Sequence, residues 1–231
     1  MSLEGSPTPA SDNNSGTVTP STSTTQRVMD LLRQMIIQGT LQPGEKLKVK
    51  NLKQMLDAGA SPIREALSLL TSDQLVERID QRGFRVAPAN TKHFKEILML
   101  RCQLDDIALR QSITNGSTAW EEELVLAHHR LSRADRSDIS EWETLHKAFH
   151  MSLLSDCDSP ILLRFCDQLY DLNIRYRYLA GQSGRYGKRR VENEHKGIME
   201  AAVKRDPDKA SRRLIDHYTL TGDFLAEKLD M

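Results

Sequence analysis

The sequence predicts a mainly α protein: an N-terminal winged helix-turn-helix followed by a C-terminal all-α helical-bundle domain. Three observations predict it. Between Gln26 and Pro88 the pattern runs helix, helix, helix, hairpin. Beyond Pro88 strand signals vanish and long stretches of helical apolar spacing take over. The chain has 231 residues, 39% of them hydrophobic and 28% charged, enough for one large or two modest domains.

Residues 1–24 are rich in Ser, Thr, Pro, Asn and Gly with almost no large apolar side chain, so they cannot bury enough surface to offset ordering and are expected to be a disordered tail. From Gln26, the spacing of Val28, Leu31, Leu32, Met35 and Ile36 predicts a helix that Gly39 stops, with a turn at Pro43-Gly44. A short helix follows from Val49 to Asp57. Another starts at Ser61, with Pro62 suited to its first turn. Leu75 to Ile79 and Phe84 to Val86 read as strands joined by a turn at Gly83. Residues 25–88 thus form the first domain. Helical patterns over 91–114, 119–133, 138–155, 159–180, 188–204 and 207–228 make the second, residues 91–228, with breaks such as "TNGS" and "GQSGRYG".

Composition narrows the function. No run approaches the ~20 apolar residues that span a bilayer, so no membrane partner is expected. Three cysteines without a CxxC suggest reduced thiols and a cytoplasmic protein. Net charge is zero, yet residues 25–90 hold ten Lys or Arg against seven Asp or Glu. The second helix of a helix-turn-helix offers its N-terminus to the major groove of double-stranded DNA. Here that is Ala60, Ser61, Pro62 and Arg64, with Arg64 able to meet phosphate or guanine. Lys48, Lys50 and Lys53 precede it and suit phosphate. Arg82 and Arg85 flank Gly83, which permits close backbone approach. The same charges would also suit a merely solvated surface.

The segment "LQPGEKLKVKNLKQMLDAGASPIREALSLLTSDQLVERIDQRGFRVAP" resembles the N-terminal domain of the GntR family of bacterial transcription regulators. The PGE-L turn, the P-I-R-E-A-L helix, the V-E-R strand and the G-F-x-V wing occur in order without gaps. The resemblance implies that Lys50 stands where the family has an arginine, and that Arg64 and the Gly83 wing touch DNA. One departure is Gly59-Ala60-Ser61-Pro62, where the family usually reads S-R-T-P: Ala60 replaces an arginine, so the family's common operator core does not transfer.

Four of the seven histidines follow a shared logic. His146 and His150, in "HKAFH", lie one helical turn apart; His195 and His217 fall on inward stripes of two later helices. Imidazoles four residues apart can share one metal, and buried ones need either a metal or hydrogen-bond partners. A set of core histidines bonded to carbonyls fits the same spacing. All-imidazole ligation suits Zn or Ni better than Mn or Mg. Arg101 and Asp105 share a stripe with Leu98 and Ala108, and Asn173 and Arg177 share a face, so these four are candidate effector contacts. A simple Arg101–Asp105 helix pair is the plainer alternative for the first two.

The GntR-type head followed by this helical domain resembles the FadR subgroup, whose effector domain is called FCD. Members hold a divalent metal through an acid and a histidine on one helix and two later histidines. "HKAFH" matches the second half of that motif and implies His150; "ENEHKGIMEAAVKRD" implies His195 and "ASRRLIDHY" implies His217. His146 stands where the family has the acid. The resemblance also puts an arginine at Arg101, facing an anionic ligand. The expectation is a ligand-responsive regulator, not an enzyme: a homodimeric repressor binding a double-stranded DNA operator, with a divalent Zn or Ni and a small carboxylate effector. Two other classes compete. A metal-dependent hydrolase would need Glu after the first histidine, where Lys147 stands. A helical interaction module would hold its metal in a closed, purely structural site.

Overall fold

The computed structural model describes residues 23–80, 82–180 and 189–229. The tail expected over residues 1–24 therefore lies outside the described residues but for its last two, and the "GQSGRYG" break lies outside them entirely. Helix α1 (Thr24–Ile37) starts two residues earlier than the apolar spacing suggests, because Ser23 Oγ accepts from Gln26 N at 3.1 Å and closes its first turn. It buries Val28, Leu32 and Ile36 against the head's core.

The chain then turns at Pro43-Gly44, with Gly44 at φ 78°, a conformation that costs glycine nothing. That turn delivers β1 (Lys46–Leu47), which the apolar pattern does not announce: two residues are too few to show alternation. β1 pairs with β3, Lys46 opposite Arg85, and the turn is tied to the same strand by Gly44 N to Val86 O at 3.0 Å. α2 (Val49–Leu56) ends on Asp57 in the left-handed region at φ 45°. Arg27 of α1 donates to the Leu56 and Asp57 carbonyls at 3.4 and 3.3 Å, satisfying that helix end. α3 (Ala60–Ser72), β2 (Val76–Ile79) and β3 (Gly83–Val86) complete the head, the antiparallel sheet running β1-β3-β2.

The six later helices are α4 (Thr91–Asn115), α5 (Thr118–Arg133), α6 (Ile139–Leu154), α7 (Pro160–Leu179), α8 (Val191–Val203) and α9 (Pro207–Leu229). Asn90, Ser117, Asp138 and Ser159 cap four of them through their side chains, each accepting from an amide three residues on. No described helix is long and apolar enough to cross a membrane.

Two apolar cores form. One lies within the bundle, around Leu109, Trp120, Leu124, Phe149 and Ile198. The other runs from Val28, Leu32, Ile63 and Leu67 of the head into Phe94, Ile97, Leu172, Tyr176 and Leu225. The head is therefore packed onto α4, α7 and α9 rather than hung on a linker. Polar bonds reinforce that join: Arg175 donates to the Ala87 carbonyl, and Tyr176 Oη lies 3.0 Å from His93 Nδ1. His93, for which the sequence suggests no role, thus links the first turn of α4 to α7.

Candidate metal and effector site and DNA-facing surface

The four histidines meet in the bundle. His146 and His150 come from α6, His195 from α8 and His217 from α9, each 1% or 2% exposed. One nitrogen from each lies within 4.8 Å of the others. Four nitrogens set tetrahedrally about 2.0–2.1 Å from one ion lie about 3.4 Å apart, so common ligation asks for a contraction of up to about 1.4 Å.

Outer partners orient the rings. Glu194 accepts from His217 Nδ1 at 2.8 Å. Tyr218 donates its proton to Asp105 at 2.8 Å, so its oxygen accepts from His150 Nδ1 at 3.1 Å. Both rings then carry their lone pair on Nε2, the tautomer a metal takes. His146 differs. Its Nδ1 faces Tyr170 Oη at 2.5 Å and the Arg177 guanidinium at 3.4 Å, and its Nε2 lies 3.2 Å from His150 Nε2. A donor guanidinium at Nδ1 places the proton on Nε2, where it bridges to His150. His195 Nε2 is buried without a hydrogen-bond partner.

Burial first, then the Arg177 charge, pulls the His146 pKa well below the ordinary range; burial and Arg101 do the same for His150, and burial and His217 for His195. Burial lowers His217 to about 4 against the pull of Glu194. All four are neutral at pH 7. Burial works against the Glu194 carboxylate, but its bonds to His217 and Arg189 outweigh it and hold the pKa at about 2. A buried cluster of neutral imidazoles with one orphaned nitrogen fits a divalent ion held by His150, His195 and His217, which His146 joins only if its proton leaves Nε2.

Arg101, Asn173 and Arg177 also converge here, lining with His146, His150, His217 and Tyr218 a cavity of about 290 Å³ of empty space, so narrow that it admits little more than one water. Arg101 donates to Asn173 at 3.0 Å and to Tyr218 at 3.0 Å, its guanidinium lying 4.1 Å from the Tyr218 ring centre. Asp105 is the exception among the four candidates: it sits behind Arg101, which it meets at 3.3 Å, and does not wall the cavity. Arg177 donates to Glu143 at 3.0 Å. Tyr170, Tyr218, Glu143, Glu194 and Arg189 were not singled out by the sequence reading. Tyr218 and Glu194 could have been, since each sits within one residue of an inward histidine.

In the head, Lys50, Ser61, Arg64, Arg82 and Gly83 are exposed and Pro62 half-buried. The N-cap of α3 is Gly59, which offers no side-chain acceptor, so the first amides of the helix stay available to a phosphate. Gly83 has φ 92°, and a Cβ there would meet nothing within 4 Å, so the wing tip is open on its outer side. Arg85, in contrast, is engaged with Glu77 at 2.7 Å.

Two family models match the chain: "Bacterial regulatory proteins, gntR family" over residues 24–86, and "FCD domain" over residues 96–220. Among curated proteins, the uncharacterized HTH-type transcriptional regulator BphR of Paraburkholderia xenovorans is 35% identical over 80% of this chain and 78% of that protein. The HTH-type transcriptional repressor GlaR of Escherichia coli is 31% identical over 80% of this chain and 88% of that protein. Among solved structures, E. coli McbR/YncC superposes with a TM-score of 0.78 at 21% identity, covering 90% of this chain and 99% of that one. A GntR regulator from Rhodococcus sp. RHA1 does so with a TM-score of 0.70 at 22% identity, over 88% of this chain and 98% of its own.

Proposed function

The chain belongs to the GntR family of bacterial transcription regulators and carries its FCD domain, and from that premise we propose that it is a metal-dependent sensor of a small carboxylate. Its fold and relatives are those of DNA-binding regulators rather than enzymes. The observation that carries the metal reading is the convergence of His146, His150, His195 and His217, buried and neutral, with the His195 Nε2 left orphaned. Zn or Ni suits four imidazoles best.

Charge carries the effector reading. Around the imidazoles stand Arg101, Arg177 and Arg189 against Asp105, Glu143 and Glu194, three of each sign. The protein groups alone are balanced, so a divalent ion would leave the cavity with its full charge and make it attract an anion. An ion there supplies a Lewis-acidic coordination position for a carboxylate oxygen. Arg101 and Asn173 orient the ligand and Arg177 faces its far end. A carboxylate larger than water must widen the cavity between α4, α7 and α9, the same helices on which the head is packed. Its differential affinity for the wider and narrower states would then bias DNA binding. Repression as a homodimer on an operator with two half-sites, in the cytoplasm, completes the reading; the helix-turn-helix gains specificity by matching two-fold symmetry, and a 31% identical relative bears the name of a repressor.

The test starts from full-length protein purified without chelator. Elemental analysis should find one zinc or nickel per chain. Calorimetry with citrate and succinate should then give binding that chelation abolishes. Duplex DNA selected from a random pool should lose or gain affinity when the carboxylate is added. Stoichiometric metal with no carboxylate response at any concentration would favour a closed structural site instead.

A further inference from the structure

The histidine centre lies between two cavities. His146, His150 and His217 wall the effector cavity with Arg101 and Arg177. His195 does not; it walls a second, roomier cavity of about 600 Å³, open toward solvent, together with His128, Arg136, Trp142 and Glu192. The Trp142 ring that walls this second cavity stacks on His146, with centroids 4.7 Å apart and planes 20° apart. Its donors form a graded series. The Glu192 side chain at the mouth is 54% exposed, His128 is half-buried, and His195 is 2% exposed with an orphaned Nε2.

We propose that this second cavity is the route by which a divalent cation reaches and leaves the histidine centre, with Glu192 and His128 as transient ligands that pass it to His195. The inference rests on the metal reading above. A divalent ion cannot shed its water into an apolar interior; each lost water must be replaced by a protein donor. The effector cavity is a poor path, because it admits little more than one water. The second cavity offers an oxygen donor and two imidazoles in the order in which an incoming ion would meet them. Glu192 is held by Arg136 at 2.7 Å, in an exposed pair of the kind that exchanges readily. Arg136 therefore acts as a competitor that a cation must displace.

The experiment uses the full chain, stripped by chelator and mixed rapidly with zinc alone, with uptake read by a competing zinc dye and by tryptophan fluorescence. Glu192→Gln and His128→Asn should slow uptake about tenfold, and slow chelator-driven release by the same factor, while stoichiometry and equilibrium affinity stay within about twofold. Arg136→Ala should speed uptake, since it frees Glu192. Wild-type rates in all three variants, with full zinc loading of the wild type, would overturn the route and leave the metal centre standing. Faster release with weakened affinity would also overturn it, because Glu192 and His128 would then be resident ligands. A wild type that takes up no stoichiometric zinc would refute the metal centre itself, and the route with it.

Discussion

Arg33, on the first helix of the DNA-binding head, donates to Asp171, on the helix that carries Asn173 and Arg177, at 3.1 Å. The same carboxylate accepts from Lys147 at 2.6 Å, and Lys147 is the residue next to His146. Arg33 also holds Asp73, at the end of α3, at 2.7 Å. Four side chains thus connect α6 and α7, beside the histidines, to the end of the helix expected in the major groove. Asp171→Asn should shrink the change in operator affinity that a carboxylate produces, with carboxylate affinity itself preserved. The stability loss should stay near ~1–3 kcal/mol, because Arg33 keeps Asp73 and Lys147 keeps Asp167. Chemical denaturation and operator titrations with and without ligand check this. An undiminished response would remove Asp171 from the linkage.

Arg64 stands exposed on the first turns of α3. Arg64→Ala should weaken specific DNA binding by ~1–3 kcal/mol if the guanidinium meets a base edge, or lower the salt slope by about one if it meets a phosphate. Fluorescence anisotropy over several salt concentrations separates the two. Equal affinity and equal slope in variant and wild type would take Arg64 out of the interface.

His150 and His146 are expected to part company on substitution. His150→Ala should abolish stoichiometric metal and the carboxylate response together, leaving basal DNA binding. His146→Asp should keep the metal yet weaken carboxylate binding, since an acid there cancels part of the ion's charge. Elemental analysis and calorimetry decide. Tighter carboxylate binding by the aspartate variant would contradict the charge argument.

Chelator-treated protein should lose stability as pH falls. The four imidazoles have folded-state pKa values depressed below the ordinary ~6.5, His217 to about 4. The unfolded chain therefore binds protons first. The stabilisation is fully present above pH ~6.5 and is lost progressively from there through pH 4, at most on the order of 3 kcal/mol for His217 alone. Urea midpoints at pH 7.5, 6 and 5 should fall in that order, and more steeply than in a variant with His217→Gln. Flat midpoints across that range would show that the rings are not held neutral.

Gly222 lets α9 approach α4 beside the cavity: a Cβ there would meet Leu98 Cδ2 at 2.2 Å. Leu98 is a flexible side chain, so Gly222→Ala should displace it rather than prevent folding. The expected result is a cavity too small for its ligand, with carboxylate affinity lowered more than about tenfold and a melting temperature within a few degrees of wild type. Unaltered affinity would mean that the ligand lies elsewhere.

The order of the helices and of the wing hairpin, the binary pattern and the inward set of histidines were legible in the chain. A helical apolar stripe reports which face of a segment is buried whatever it packs against, so His146, His150, His195 and His217 declared themselves from local spacing. The capping side chains of α4 to α7 likewise act within three residues of themselves. What spacing could not reveal was who meets whom. Tyr218 orients His150 across 68 positions, Glu194 orients His217 across 23, and Asp171 meets Arg33 across 138. β1 escaped notice because a two-residue strand exists only through its partner. Asp105 looked like a ligand contact because its helix face points inward, and only the packing of α4 against α9 places it behind Arg101 instead. Periodicity is a property of one segment, whereas a site is a property of several, fixed when the bundle closes and the buried polar atoms must each find a partner.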